Sequence, residues 1–453
     1  MRYLSIWYQY ECKRKCNLDY AIVLLEINIM TSQSRFAWYM YDWASSAFTT
    51  TVITVFLGPY LTSIALAEAG QTGLLYAFGI PIAPQSLFPY AVSTSVFMQF
   101  LLLPLIGYAS DGPLGKRFVI LFCTAIGALA TIGMYWIEAG LAMQGAVLFI
   151  IANGAYGSSI VAYNAMLNDV ADHDDRDRVS SRGFAIGYAG GGLLLLLNLA
   201  LYISKESLGM DGGHAVRIAL ASAGLWWAIF TFVPFLNIPK REKKQKGEGL
   251  FASLSTLKQI IHQPKILLFL IAFLLFNDGI QTVISMAAQF GSEELQLPLE
   301  TLQISILLVQ IIAVFGALMF GRLAQSSSAL GMLLVSLFLW MSIIIYAYAF
   351  LPPGSSMHFY VLSGIIALVL GGSQSLARSI FSKIIPSGSE SRYFGIYELT
   401  DRGSSWLGPL LFGISLQISG SYRSALLALI VFFVSGICFL WLFSRRYEVN
   451  QDS

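Results

Sequence analysis

The chain has 453 residues, of which 56% are apolar and only 11% are charged. Soluble domains carry about 25% charged residues, so this composition excludes a water-soluble protein and indicates one that lies in a bilayer. The net charge of +2 gives no reason to expect a nucleic-acid partner.

The first 29 residues differ from the rest of the chain. Basic residues precede a short apolar run over 20–29, which falls short of the roughly 20 residues that a membrane span needs. A small-residue cleavage site does not follow, so the segment is not typical of a signal peptide. We expect residues 1–29 to be a spurious or disordered extension and Met30 to be the natural start.

From residue 37 onwards, apolar segments of spanning length recur along the chain. Six precede and six follow a polar, basic connector. They lie near 37–64, 88–109, 117–138, 141–168, 181–203, 216–238, 265–290, 302–322, 329–350, 357–385, 393–418 and 421–444. The sequence therefore predicts an all-α polytopic membrane protein of about 12 transmembrane helices in two six-helix halves. The predicted divisions are an N-terminal half at 30–238, a cytoplasmic linker at 239–264, a C-terminal half at 265–445 and a cytoplasmic tail at 446–453.

Basic residues are distributed unequally between the two sides of this arrangement. If the N-terminus is cytoplasmic, the opposite side holds only Lys205, Arg217 and Arg423 after Met30. The positive-inside rule then predicts that both termini are cytoplasmic.

Ionisable residues within apolar spans are costly, at about 3 kcal/mol each, and indicate functional positions. Asp42 lies in the first span beside Tyr41, Asp278 lies in the seventh span, and Arg378 lies in the tenth. Asn277 and Gln281 accompany Asp278, and Gly279 beside these polar residues predicts a local break in the helix. Such a break would free backbone groups for a solute or a proton. The alternative is a buried aspartate that caps its own kink.

The eleventh span carries a charged cluster of Glu398, Asp401 and Arg402. Glu398 and Arg402 are four residues apart in the order that favours an ion pair on a helix, so a purely structural pair is one interpretation. Because Asp401 is three residues from Glu398, two carboxylates flank the one guanidinium of Arg402. The negative charge of one carboxylate is then not fully neutralised. That arrangement suits a group that loads and unloads a proton, and we treat the three residues as proton-coupling candidates.

The loop between the second and third spans reads GYASDGPLGKR over 107–117. It resembles the signature loop of the major facilitator superfamily, with one extra residue and with Gly112 in place of the usual arginine. Its glycines and proline predict a tight turn. The resemblance implies a gating loop; its residues are Gly107, Asp111, Gly115, Lys116 and Arg117. We expect their charges to make contacts between the two halves, with Asp111 near the N-terminus of the eleventh helix.

Other motifs favour structural interpretations. The glycines at 187 and 190–192 lie in an apolar span and predict close helix packing instead of a phosphate cradle. The acidic and basic run at 172–178 is typical of a solvated loop more than of a metal site. Four scattered cysteines favour free thiols. We therefore expect no metal, no cofactor and no enzymatic activity.

Four longer segments together resemble one branch of the major facilitator superfamily, the vacuole-effluxer-like family, which includes the autophagy-related vacuolar amino-acid effluxer of fungi. They are YDWASSAF (Tyr41–Phe48), FNDGIQTVI (Phe276–Ile284), GGSQSLARSIFSKIIP (Gly371–Pro386) and FGIYELTDRGSSWLGPLLFG (Phe394–Gly413). The resemblance implies a twelve-helix transporter whose first, fourth, seventh and tenth helices line a cavity, with Asp42, Asp278 and Arg378 facing it. Arg378 would bind a substrate carboxylate and an aspartate the ammonium group.

The sequence thus predicts a secondary active transporter, a permease or effluxer, that moves a small polar solute by alternating access. Amino acids are the class that the resemblance suggests, and coupling to a proton or another ion is expected. The short loops favour a prokaryotic cell membrane. Two alternatives stay open: an exporter of drug-like cations, suited to Trp38, Tyr39, Tyr41 and Trp43, and a non-transporting membrane sensor on the same fold.

Overall fold

The structure is a computed structural model that describes residues 32–70, 73–77, 79–111, 114–171, 176–236, 260–386 and 405–448, with four isolated positions between 393 and 400. The predicted extension at 1–29, most of the linker and the predicted proton-coupling cluster of Glu398, Asp401 and Arg402 lie outside the described residues.

Helix α1 spans Ser32–Ala69 and is π-helical over Phe48–Phe56. Hydroxyl groups bond to backbone carbonyls at this stretch: Thr49 Oγ1 donates to Ser46 O at 3.0 Å, and Thr54 Oγ1 donates to Thr49 O at 2.9 Å. Such bonds compete with the regular helical ladder, and π-helical turns occur often at functional sites. The first helix is therefore irregular near its middle.

A short hairpin follows α1, and the sequence analysis did not predict it. Strand β1 (Leu75–Ala77) pairs antiparallel with β2 (Ile80–Ile82). Gly79 in the turn has a φ of +81°, which glycine adopts at low cost.

The remaining helices of the first half are α2 (Leu87–Asp111), α3 (Lys116–Gly133), α4 (Ala142–Val170), α5 (Arg176–Ile203) and α6 (Gly212–Leu236). The second half contains α7 (Pro264–Gln289), α8 (Leu299–Ser326), α9 (Ala329–Ala349), α10 (Ser356–Ile384) and α11 (Leu407–Ser419). Its last helix, α12, consists of two segments, Tyr422–Ala428 and Ile430–Glu448.

In the described part of the chain, ten helices are long and apolar enough to cross a membrane. Helix α11, with 13 residues, is apolar but shorter. The predicted all-α membrane architecture is therefore confirmed, whereas the count of twelve spans stays a prediction.

The predicted break in the seventh helix is wrong. Helix α7 continues through Asn277, Asp278 and Gly279. Gly279 instead allows α12 to pack closely, because a Cβ atom at this position would lie 2.8 Å from Cε2 of Phe433. At the eleventh helix, a turn at 405–406 directly precedes the start of α11.

Glycines permit close helix packing within each half, as the sequence predicted for 190–192. A Cβ atom at Gly191 of α5 would lie 2.7 Å from Thr50 Oγ1 of α1. In the second half, a Cβ atom at Gly316 of α8 would lie 2.6 Å from Cα of Leu368 on α10. Small residues at such crossings bring backbones together, and packing of this kind holds helices in a bilayer.

The two halves meet through α1 with α7, α2 with α11, and α5 with α8. We call the end of the bundle where α1 ends and α2 begins the distal end. Here Ser86 Oγ donates to Gly413 O at 3.1 Å, and Tyr90 Oη donates to Gln417 Oε1 at 2.9 Å. These bonds join α11 to α2 and to the turn that precedes it.

Gln289, at the end of α7, makes a second connection at the distal end. Its fully buried side-chain nitrogen lies 2.8 Å from both Thr62 Oγ1 and Gln85 O in the first half. The same nitrogen lies 3.3 Å from Tyr422 Oη in the second half. The distal end is therefore closed by buried polar contacts between the halves.

Candidate functional site: a polar cleft between the halves

Asp42 of α1 is oriented by a tyrosine from α4. Tyr163 Oη donates to Asp42 Oδ2 at 2.7 Å. Trp38 holds that tyrosine in place: its indole nitrogen donates to Tyr163 O at 3.0 Å, and the two rings stack with centroids 4.6 Å apart. Asp42 itself is half-buried, so a rigid aromatic support presents its carboxylate.

Tyr41, which the sequence analysis proposed as a binding residue, lies inside the first half. It is fully buried, and its hydroxyl group is hydrogen-bonded to that of Ser159. Its ring packs against Tyr163 and Phe235, with centroids 4.9 Å and 6.2 Å away. In this arrangement Tyr41 supports the site from behind and does not line open space.

Arg378 of α10 is exposed and lies near α5 of the first half. Its guanidinium carbon lies 5.9 Å from the centroid of the Phe184 ring on α5. One turn further along α5, Tyr188 is 50% exposed and interacts electrostatically with both Asp42 and Arg378. The tyrosine hydroxyl is thus within electrostatic range of an acid of one half and a base of the other.

We refer to Asp42, Tyr163, Phe184, Tyr188 and Arg378 as the polar cleft. An exposed guanidinium binds carboxylates with a planar fork of donors. A carboxylate supported by a phenol accepts hydrogen bonds from an ammonium group. The cleft therefore presents complementary groups for the two ends of a small zwitterion.

The residues predicted on α7 lie elsewhere. Asp278 is fully buried and Asn277 is 2% exposed, so neither reaches the open part of the cleft. Asp278 Oδ2 instead accepts a 2.9 Å hydrogen bond from the backbone N–H of Gly408 on α11. Gln281 is half-buried one turn further along α7. The structure thus separates the three residues that were predicted to share one cavity. Asp42 and Arg378 belong to the polar cleft, and Asp278 lies at the contact between α7 and α11.

At the predicted gating loop, the described residues before and after 112–113 lie close together. The backbone N–H groups of Leu114 and Gly115 both donate to Ala109 O at 3.2 Å, and Gly115 has a φ of +77°. Gly107 lies in the last turns of α2, and the side chain of Asp111 lies outside the described residues.

The basic residues of this loop make contacts within the first half. Lys116 Nζ lies 2.8 Å from Asp169 Oδ2 and donates to Ala165 O at 2.9 Å, both on α4. Arg117 donates to Leu236 O on α6 at 3.0 Å. The expectation that Lys116 contacts the other half is wrong for this arrangement. Asp169, in the same half as Lys116, neutralises the Lys116 charge.

A second pocket lies between α7, α8 and α10. Its lining is mostly apolar, and its hydroxyl groups come from Ser305 and Ser363. No ionisable side chain lines it among the described residues. It therefore lacks groups that would bind the charged ends of a polar solute.

Tyr163 and Tyr188 were not predicted as members of the site, and Gln289 was not predicted as a connection between the halves. A buried amide in an apolar span was a signal for Gln289, since polar groups at membrane depth need partners. The tyrosines carried no comparable signal, because aromatic residues are common in apolar helices.

A family model described as "Vacuole effluxer Atg22 like" matches residues 30–451. The chain belongs to this family. Among curated relatives, the uncharacterized MFS-type transporter YxiO of Bacillus subtilis is 28% identical over 89% of this chain and 93% of its own length. Autophagy-related protein 22-1 of Neosartorya fischeri is 25% identical over 89% of this chain and 88% of its own.

Solved structures of similar fold are transporters as well. The nucleoside transporter NupG superimposes with a TM-score of 0.66 at 14% identity, covering 92% of this chain and 99% of NupG. A D-xylose–proton symporter superimposes with a TM-score of 0.62 at 14% identity, over 92% of this chain and 98% of its own. The Atg22-like chain is thus a multi-pass membrane protein with the major facilitator fold and a transporter, not an enzyme.

Proposed function

We propose that this Atg22-like protein is a secondary active transporter that moves a small zwitterionic solute, of the amino-acid class, by alternating access. The observation that carries the proposal is the polar cleft. Asp42 belongs to the first half and Arg378 to the second, and the hydroxyl group of Tyr188 interacts electrostatically with both. A solute with an ammonium group and a carboxylate would interact with both halves at once.

This division of charge suits alternating access. A ligand shifts a conformational equilibrium only by its differential affinity for the two states. A zwitterion bound between Asp42 and Arg378 has its best contacts when the halves approach each other around it. Because the halves already meet at the distal end through Gln289, approach at the other end would enclose the solute.

We further propose coupling to protons and a cell membrane with both termini on the cytoplasmic side. The positive-inside distribution of Lys and Arg supports the orientation. The symporter of similar fold supports proton coupling by analogy of fold. Glu398, Asp401 and Arg402 remain predicted proton-coupling residues.

A drug-type cation exporter is the second candidate, supported by the half-buried Trp43, whose ring stacks on Trp226 with centroids 5.7 Å apart. The cleft argues against it. Trp38 and Tyr41 are buried in the first half, and Arg378 places a positive charge where a cation would bind.

A metabolite screen tests the proposal. Membrane vesicles that contain the wild type, D42N or R378Q are loaded with a mixture of amino acids, simple amines and carboxylates, and flux is followed by mass spectrometry. We expect both variants to lose zwitterion flux at least about tenfold, as expected when a charged hydrogen-bond partner is removed. K383Q, which removes an exposed charge at the end of the same helix, serves as the matched control.

Wild-type flux of organic cations that R378Q leaves intact would instead favour the exporter. Identical flux profiles in D42N, R378Q and wild type would overturn the proposal.

A further inference from the structure

Asp278 is the most deeply buried ionisable group at the contact between α7 and α11. It has no exposed surface, and its Oδ2 accepts the hydrogen bond from Gly408. Its Oδ1 has no hydrogen-bond partner among the described residues. A buried carboxylate with one unsatisfied oxygen is costly to keep ionised, so its presence needs an explanation.

The start of α11 is shaped to receive this carboxylate. Gly408 is the second residue of the helix, where backbone N–H groups lack partners within the helix and attract negative charge. A Cβ atom at Gly408 would lie 2.8 Å from Asp278 Oδ1 and 3.1 Å from Asp278 O. Only glycine lets the two backbones approach this closely without displacement.

The same turn is held by the other half of the protein. Ser93 Oγ of α2 donates to Trp406 O at 2.9 Å, two residues before Gly408. The Trp406 ring packs edge-on against Phe97 of α2, with centroids 5.0 Å apart. The start of α11 therefore lies between a carboxylate of its own half and a hydroxyl group of the first half, and the contacts of the closed distal end lie further along the same helix, at Gly413 and Gln417.

We propose that Asp278 is a proton-binding site whose charge controls the start of α11 and thereby the opening of the distal end. The inference rests on the proposed transport function, to which it adds the site of proton coupling. When ionised, Asp278 holds the Gly408 N–H by a charge-assisted bond. When a proton from water binds to the carboxylate, that bond becomes a neutral and weaker one. The turn at Trp406 is then released, and the contacts of α11 with α2 loosen with it.

Other ionisable groups lie on α7 itself and on the helices packed against it. Helix α11 has no ionisable residue over Leu407–Ser419. In the part of the chain that the structure describes, the Gly408 N–H is the hydrogen-bond partner of the Asp278 carboxylate. Among the described side chains, the other ionisable groups on α7 and on the elements packed against it are Lys265 on α7, Glu293 and Glu294 directly after it, Arg35, Tyr39, Tyr41, Asp42, Tyr60 and Glu68 on α1, His358, Tyr360, Arg378 and Lys383 on α10, and Tyr422, Arg423, Cys438 and Arg445 on α12.

Exchange of the proton requires movement, because Asp278 has no exposed surface in this arrangement. In the proposed mechanism, water reaches the carboxylate when the turn at Trp406 moves away. Proton loading and opening of the distal end are therefore obligatorily linked in this geometry. Such linkage is what a coupled transporter needs in order to avoid a proton leak.

Double electron–electron resonance on the full chain in lipid nanodiscs tests the proposal without a solute. The four native cysteines are replaced, and spin labels are placed at Ser63 on α1 and Ile418 on α11, both exposed near the distal end. We expect the long-distance population of the wild type to rise about tenfold on acidification, from the difference between charged and neutral hydrogen bonds. D278N should show the long-distance population at every pH.

Three further variants make the result specific. D278E keeps a titrating group and should retain the pH response with a displaced midpoint. S93A weakens the bond from the first half and should raise the long-distance population at every pH while retaining the response. E293Q removes a different acid near the end of α7 and should behave as the wild type. A pH response of D278N equal to that of the wild type would overturn the proposal, and so would a pH-independent wild type.

Failure of this inference is distinguishable from failure of the proposed function. If the vesicle screen shows zwitterion flux but the distance between the spin labels does not depend on pH, Asp278 does not couple protons to transport. The transport proposal would then stand. If the distance at the distal end depends on pH but no zwitterion is transported, the proposed proton site stands and the proposed solute class is wrong.

Discussion

Tyr163 on α4 donates a 2.7 Å hydrogen bond to Asp42 on α1, and this bond fixes the acidic side of the polar cleft. The tyrosine is 4% exposed and is itself held by Trp38, so it has little freedom to follow a solute. Its orientation therefore determines where the carboxylate lies. In the proposed mechanism the bond pre-organises one half of the binding site before a solute arrives.

Removal of this hydroxyl group should weaken solute binding without unfolding the protein. We expect Y163F to raise the KM for a transported zwitterion about tenfold, because a hydrogen bond to a charged group contributes about 1.5–3 kcal/mol. The measurement is the concentration dependence of flux in vesicles. Y135F is the matched control, since its hydroxyl group pairs with His214 outside the cleft. An unchanged KM in Y163F would show that Tyr163 does not position Asp42 for binding.

The packing of α5 on α1 should be sensitive to one added methyl group. A Cβ atom at Gly190 would lie 2.8 Å from Cδ2 and 2.9 Å from Cα of Trp43. We expect G190A to destabilise the protein by about 1–3 kcal/mol through overpacking, seen as a lower midpoint of thermal unfolding in detergent. G154A makes the same change in α4 where no atom lies within 4 Å, and it should be neutral or slightly stabilising. Equal midpoints for both variants would contradict the packing argument.

Arg423 should anchor α12 at the distal end through its planar guanidinium. Its Nε lies 2.8 Å from Glu294 Oε1, and its terminal nitrogens donate to three backbone carbonyls at 2.7–3.1 Å, those of Ala347, Tyr348 and Leu351. R423K keeps the positive charge but loses the planar set of guanidinium donors. We therefore expect R423K to lower the free energy of unfolding by about 1.5–3 kcal/mol.

The control for Arg423 is the looser ion pair of Lys205 with Glu300, whose N–O distance is 3.7 Å. K205M should change stability by less than about 1 kcal/mol, as is usual for accessible pairs. Thermal unfolding of the purified protein compares the two variants. A larger loss in K205M than in R423K would be the opposite of this expectation.

Gln289 should help to keep the distal end closed. In Q289M the side chain keeps its length but loses the bonds to Thr62 and Gln85. With about 1 kcal/mol for each net hydrogen bond, we expect the open population to rise about tenfold or more. Spin labels at Ser63 and Ile418 report the distance. Q99M is the control, because the Gln99 amide bonds to Asn153 O within the first half. An open population unchanged in Q289M would exclude this role.

Several features of the fold followed from sequence patterns alone. Burial of apolar segments in lipid predicted the all-α membrane architecture, and glycines at 190–192 predicted close helix crossings that Gly191 and Thr50 now show. The prediction of a break at Gly279 was wrong, because helix propensity does not show which neighbouring side chain fills the space beside a glycine. Here Phe433 of α12 occupies it, and α7 stays continuous.

The sequence by itself determined which ionisable groups lie in apolar spans, since Asp42, Asp278 and Arg378 each interrupt a hydrophobic segment. Only the tertiary structure decided what each of them does. It placed Asp42 and Arg378 on facing sides of one cleft and directed Asp278 to the backbone of Gly408, 130 residues later in the chain. The physical reason is that hydropathy depends on composition along one helix. Hydrogen-bond partners and access to water depend instead on how helices distant in sequence pack together.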